Sequence, residues 1–223
     1  MRERKMAEVL FGAREVFFRC GYEGATVDAI AAEGKVSKAT MYSYFPTKEQ
    51  LFLSVVESEC GRLAEEILRP LSAGPEPRAQ LEKLALRMID LVLDETYIRL
   101  LRTCIGATEM LPEVGEVYFR AGPKRARELI SKVLERLSRE GALEIDNPPR
   151  VADHFIHLCV SGLLMPRLLA VQRTVERDKH AADAVTAFLR LYGSGHRVEL
   201  LTDLAFRQRG NAPNLSIKLP NGR

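Results

Sequence analysis

The sequence predicts an all-α protein. Apolar residues recur at the helical period through nearly every segment, and Gly, Pro and capping residues fall where such segments start and stop. No stretch shows the strict alternation of a half-buried strand. With 223 residues, 46% hydrophobic and 28% charged, the chain has material for a packed core and lacks the bias of a disordered one.

The elements follow in order. Val9/Leu10, Ala13, Val16/Phe17 and Cys20 share one helical face, and Gly21 stands where a C-cap belongs. A short helix is predicted from the cap Thr26, with Asp28 in its first turn, to about Ala32. Gly34-Lys35 forms a turn, Ser37 caps a helix to about Tyr44, and Pro46 ends it. Thr47 and Gln50 make a capping box that opens a long helix to Leu68. "RPLSAGPEPRAQ" is a linker. Beyond it, helices are predicted over about Pro77–Asp94, Thr96–Met110 and Glu113–Ala121, with a break at Gly122-Pro123. "KRARELISKVLERLSRE" resumes the helix and Gly141 ends it. A strongly apolar helix, kinked at Pro166, should span about Pro149–Arg173, and "AADAVTAFLRLYGSG" holds the last one. The tail from Phe206 carries four cations and no acid, and is expected to be mobile.

Several function classes fall away. No apolar run reaches the roughly eighteen residues of a membrane span. The acids Glu3, Glu8 and Glu15 make the first segment an amphipathic helix, not a signal peptide. Cys20, Cys60, Cys104 and Cys159 lie about forty or more residues apart, which suits reduced thiols of a cytoplasmic protein. There is no G-x-S-x-G elbow, H-E-x-x-H or Walker sequence, so neither enzyme activity nor a cofactor is expected. "GSG" at 193–195 follows a helix and is a terminator. His154 and His157, beside Asp153, lack the further ligands of a metal site and read as a packed or interface pair.

One stretch carries chemistry. "VSKATMYSYFPTKEQL" follows a short helix and forms the second half of a helix-turn-helix, a unit whose second helix enters the DNA major groove. Between Gly34 and Lys48 there are three lysines and no carboxylate, so phosphate is attracted locally although the net charge is only +3. Ser37, Thr40, Ser43, Tyr42 and Tyr44 supply hydroxyl donors. Lys48 occupies a first helical turn, where acids are the usual choice; a phosphate opposite would account for it.

Residues 5 to 56 resemble the N-terminal domain of the TetR family of transcriptional repressors. The matching pattern is apolar-x-x-A-x-x-x-F-x-x-x-G-Y, T-V-x-x-I-A and V-S-x-x-T-x-Y-x-Y-F-x-x-K-E-x-L. The segment "PEVGEVYFRAGPKRA" and the closing "AVTAFLRLYG" helix more loosely resemble the C-terminal domain of the AefR-like subgroup. The resemblance implies an N-terminal three-helix helix-turn-helix DNA-binding domain and a larger helical ligand-binding and dimerisation domain. It further implies a homodimer on a pseudo-palindromic double-stranded DNA operator, responsive to a small-molecule effector. On this reading residues 1–48 bind DNA, a connecting helix covers about 47–69, residues 49–205 bind effector and dimerise, and 206–223 form the tail. Thr26 and Tyr42, flanked by Tyr44, match family phosphate contacts, and Lys48 matches the family lysine after the recognition helix. Ser37, Lys38, Ala39 and Thr40 begin that helix, where base contacts concentrate; Ile30, Val36, Met41 and Phe45 should dock it. Two positions depart from the family: Gly34-Lys35 replaces Ala-Gly, so that Lys35 is expected at positive φ or the turn shifts, and Ala39 stands where glycine is frequent.

Beyond the head, Leu84, Met88, Leu91, Leu101, Cys104, Ile105, Thr108, Tyr118 and Phe119 are candidate pocket residues for an amphipathic ligand, although each would also serve a helical core. Val151, Phe155, Leu158, Cys159, Gly162 and Leu163 on one helix, with Ala184, Val185, Phe188, Leu191 and Tyr192 on the last, are candidates for a four-helix dimer interface; burial within one chain is the alternative. A DNA binder or activator without an inducing ligand, and a ligand-binding dimer with a vestigial head, also remain open.

Overall fold

The computed structural model describes residues 2–67 and 76–194. The linker's first part and the tail from Phe206 lie outside the described residues, as does Leu68. Four helices make the head: α1 (Arg2–Gly24), α2 (Val27–Glu33), α3 (Lys38–Tyr44) and the longer α4 (Lys48–Ile67). Their starts are chemically specified. Thr26 Oγ1 accepts from the Ala29 N–H at 3.2 Å, Ser37 Oγ from Thr40 at 3.0 Å, and Thr47 Oγ1 from Gln50 at 3.2 Å. Gly21, at φ 73, breaks the regular path of α1 where a C-cap is expected. Phe17, Tyr22 and Phe52 pack as an aromatic trio, with Phe52 centroids 4.8 and 4.9 Å from the other two.

The head's core does not stop at α4. After α5 (Pro77–Leu93) come α6 (Glu95–Ala107) and α7 (Glu113–Phe119), and Leu100, Cys104, Ala107, Leu111 and Val114 pack into the cluster that begins with Val9 and Phe17. A second core lies between α5, α8 (Arg125–Arg139), α9 (Pro148–Val160) and α11 (Arg177–Tyr192). Phe155 and Phe188 meet there edge to face at 5.0 Å.

Two sequence expectations need correction. The chain is not broken at Gly122-Pro123, because Arg120–Lys124 form a π-helical turn that carries α7 into α8. A wider turn keeps the proline ring clear of the preceding carbonyls and removes the demand for its missing N–H. Gly122 lies over α4, where an added Cβ would make only ordinary contact, 3.6 Å from Cys60 Sγ. Conversely, the helix expected over Pro149–Arg173 is not one kinked rod. It stops at Val160, turns through Gly162 at φ 70, and restarts as the short α10 (Leu164–Leu168). Pro166 thereby falls in a first turn, where no N–H is required. Gly141 ends α8 at φ 79 as expected, with the Ala142 N–H returning to Leu137 O at 3.0 Å.

Candidate nucleic-acid interface

Helix α3 is mounted by one side and displayed by the other. Met41 has no exposed surface and Phe45 is buried, resting on a core that includes Ile30, with Val36 packed against it. Ser37, Lys38, Ala39, Tyr42 and Ser43 are exposed; Thr40 and Tyr44 are half-buried. The exposed hydroxyls are partly committed to the helix itself. Ser37 Oγ and Thr40 Oγ1 share a hydrogen bond of 2.8 Å, and Ser43 Oγ donates to Thr40 O at 2.7 Å. Thr26, also exposed, caps α2 beside them. The surface therefore offers cations, a phenol and short polar groups on a rigid, narrow helix, which suits a groove.

The turn before α3 adopts the strained form. Lys35 has φ 52 and takes the place normally given to glycine: its N–H donates to Ala32 O at 3.2 Å and that of Val36 to Ala31 O at 3.0 Å. Gly34 is right-handed, at φ −75. It is needed for space, because a Cβ on it would come 2.7 Å from Glu8 O of α1. The unusual Gly-Lys order thus has a packing cause.

Two further features were not legible. Asp28 pairs with Lys38 at 2.5 Å across α2 and α3, and its hydrogen bond holds the ammonium pKa above the ordinary lysine value. Both side chains are more than half exposed, so a phosphate can compete for the lysine. Lys48 proves to be a clasp. Its Nζ donates to Tyr22 O at 3.0 Å and Ala25 O at 3.2 Å, and sits 4.6 Å over the Tyr22 ring. Two of its three N–H groups are thereby used inside the head, which accounts for a lysine in a first turn without a phosphate. Tyr22 donates in turn to Glu49 at 2.9 Å. Burial, then the neighbouring Glu49, raises its phenol to about 12. The Glu49 carboxyl is lowered by its own backbone N–H, Thr47 and Tyr22. These contacts join positions 22–25 to 48–49, too distant in sequence for any local pattern to reveal.

The candidate pocket set is not brought together as one lining. Leu84, Met88 and Cys104 are buried, and Leu91, Leu101 and Tyr118 half-buried, whereas Ile105, Thr108 and Phe119 are exposed and cannot line an enclosed cavity here. Their helical period placed them on the outer flank of α6 and α7. Tyr97, which the sequence reading missed, meets Tyr118 hydroxyl to hydroxyl at 3.1 Å; burial pushes both phenols up. Most candidate interface residues are likewise occupied: Val151, Phe155, Cys159, Val185 and Phe188 have no exposed surface, and Leu163 and Ala184 have 8% and 6%. They form the second core and cannot face a partner. Leu158 and Tyr192 remain half-buried; Gly162 and Leu191 are exposed. His154 bonds the Tyr192 hydroxyl and His157 the Asp153 carbonyl, which explains the pair without a metal. All four cysteines are free, three of them buried and Cys20 exposed. Among the described residues no helix is long and apolar enough to cross a membrane.

The family model described as bacterial regulatory proteins of the tetR family matches residues 9–55, and that of the AefR-like transcriptional repressor C-terminal domain matches residues 79–194. The HTH-type transcriptional repressor AcnR of Corynebacterium diphtheriae is 36% identical over 77 residues, which are 31% of this chain and only 40% of that protein. The HTH-type transcriptional activator FasR of Mycolicibacterium smegmatis is 27% identical over 72% of this chain and 71% of its own. Among solved structures, a regulator from Mesorhizobium loti MAFF303099 described as TetR-family superposes with a TM-score of 0.81 at 27% identity, covering 86% of this chain and 98% of that one. The Flavonoid-responsive Regulator FrrA superposes at 0.73, also with 27% identity, over 86% and 98%.

Proposed function

This chain belongs to the TetR family of transcriptional regulators, which are not enzymes, and from that premise we propose that it is a homodimeric repressor. It reads a pseudo-palindromic operator with α3 in the major groove and is released by a small amphipathic or hydrophobic effector. The observation that carries the reading is the mounting of α3: Met41 fully buried, with Lys38, Ala39, Tyr42 and Ser43 outside. Lys35, Lys38 and Tyr42, with Ser37 and Thr26, are the contact set. Lys48 acts through the position of the head, and Tyr44 flanks the surface. The likeness of residues 79–194 to an AefR-like repressor domain supports the sign of regulation, and FasR, similar over most of the chain, supports an activator as the second reading. Both act where the DNA is, in the cytoplasm.

One seven-residue helix reads too few base pairs for specific binding, which favours two heads spaced about one DNA turn, roughly 34 Å, apart. We move the self-association face to residues at the edge of the monomer core or outside it: Leu158 and Leu191, with Met165 of α10 and Leu169 just after it, which are 62% and 69% exposed. An effector that prefers a state with altered head spacing depopulates the operator-binding one. FrrA is flavonoid-responsive by its own description, which supports a small-molecule response in a chain of this architecture. The test is binding of the purified protein to the intergenic DNA beside its own gene, titrated with salt and unrelated competitor. Sequence-selective binding is expected, weakened by Tyr42→Phe and by Lys35→Ala. Complete removal by competitor, with both variants unaffected, would overturn the reading.

A further inference from the structure

A cleft of about 340 Å³ lies between the α5 end, the turn after α9, α10 and the start of α11. It is outside both the DNA-reading surface and the candidate pocket residues. Its apolar lining includes Leu93, Leu163, Val171 and Val175. Three cations share the wall. Arg173 and Lys179 are exposed and have no ion-pair partner among the described residues. Arg167 is different: Nη2 donates to Leu93 O at 3.0 Å and to Glu95 at 3.1 Å, while its buried Nε has no acceptor at all. A buried guanidinium N–H without an acceptor is a standing deficit; because the atom is closed to solvent, an entering oxygen fills it only when the Arg167 side chain shifts.

We propose that this cleft is a binding site for an amphipathic monocarboxylate, its carboxylate held by Arg167, Arg173 and Lys179 and its apolar body on Leu93, Leu163 and Val171. Glu176 and Asp183 also line the cleft and Glu95 is paired with Arg167, so three cations meet three acids; only Arg173 and Lys179 lack an ion-pair partner among the described residues, enough for one carboxylate and too few for a polyphosphate. Volume agrees: the cleft is at the small end of ligand sites, where a body of several carbons fits and a large polycycle does not. Planar guanidinium geometry favours a carboxylate over a neutral hydroxyl.

The site is wired to the rest of the fold. Arg167 holds the carbonyl end of α5 through Leu93, and Arg102 of α6 holds the end of α10 through Arg167 O at 2.7 Å and Leu168 O at 3.0 Å. Recruiting Arg167 to a ligand therefore pulls on the joint between α5, α6 and α10. The binding proposal does not depend on DNA release.

The experiment is calorimetric titration of the full chain with sodium octanoate and, as the uncharged control, 1-octanol. Octanoate should bind one per chain and at least tenfold more tightly than octanol. Arg173→Gln/Lys179→Gln removes two exposed, unpaired cations without touching the core, and should weaken octanoate about tenfold and leave octanol unchanged. Arg167→Met should weaken octanoate further, with a circular-dichroism melt reporting whether the fold survives. No octanoate binding at low-millimolar concentration, equal affinity for both probes, or an unaltered double variant would each overturn the site. Octanoate binding with intact operator affinity would leave the site standing and separate it from effector control.

Discussion

A Cβ placed on Gly12 would lie 2.3 Å from the backbone nitrogen of Gly34, so α1 and the end of α2 meet backbone to backbone. No rotamer relieves such an overlap, because the opposing atoms are main chain. Gly12→Ala should push α2 and the turn off α1. The expected cost is about 1–3 kcal/mol, read as a lower urea midpoint. DNA affinity should fall with it, because the turn that orients α3 moves. An unchanged midpoint would mean that the two helices can part freely.

Lys35 carries the strain that this packing leaves in the turn. A non-glycine residue in the left-handed region costs about 1–2 kcal/mol, while glycine at the same place costs roughly 0.5–1 kcal/mol of extra chain entropy. Lys35→Gly should therefore stabilise the protein by up to about 1 kcal/mol. The same change deletes a cation beside α3, and the slope of log affinity against log salt should become shallower by about 0.9 if Lys35 meets a phosphate. A gain in stability with no change in slope would keep the strain argument and remove Lys35 from the contact set.

The caps of the head were legible because they are local. Thr26, Ser37 and Thr47 each bond an N–H three residues on, and the sequence displays that spacing directly. The C-terminal half was legible as helices but not as a packing. The period marks Phe155 and Phe188 as buried without saying against what, and they proved to cover each other, not a symmetry mate. The same blindness put Ile105 and Phe119 in a pocket when they lie on the surface, and read Lys48 only as a phosphate contact, without the carbonyls more than twenty residues earlier to which it also donates.

Lys48→Ala separates those two roles. Losing charge-assisted bonds to Tyr22 O and Ala25 O should cost about 1.5–3 kcal/mol. DNA affinity should drop through a misplaced head while the salt slope stays as in the parent protein. A slope shallower by about 0.9 with stability intact would return Lys48 to the phosphate contacts.

Asp28 offers a change expected to strengthen binding. It holds Lys38 at 2.5 Å on an exposed surface, where such a pair adds little stability. Asp28→Asn frees the ammonium and removes an acid near the phosphates. DNA should bind several-fold tighter at low salt, the advantage shrinking as salt rises. Weaker binding would mean that the pair orients Lys38 for its contact.

Alkaline pH should unfold the protein through its buried thiols. Burial raises Cys60 and Cys159 from 9.0 to about 12, and Cys104 higher still. The folded state thus prefers the neutral thiol, while the unfolded chain ionises above pH 9, so the stabilisation is complete below 9 and is lost as pH rises toward 12. At pH 10 each buried thiol removes on the order of 1 kcal/mol, a few kcal/mol for the three, against a typical net stability of about 5–15 kcal/mol. Urea midpoints should be level up to pH 8 and fall steeply above 9, less steeply in Cys159→Ala. Exposed Cys20 should react with a thiol reagent at once near neutral pH, and the other three only on unfolding. Rapid labelling of all four in the native protein would show that helices α4 and α6, which carry Cys60 and Cys104, part readily, and the steep alkaline fall should then be absent.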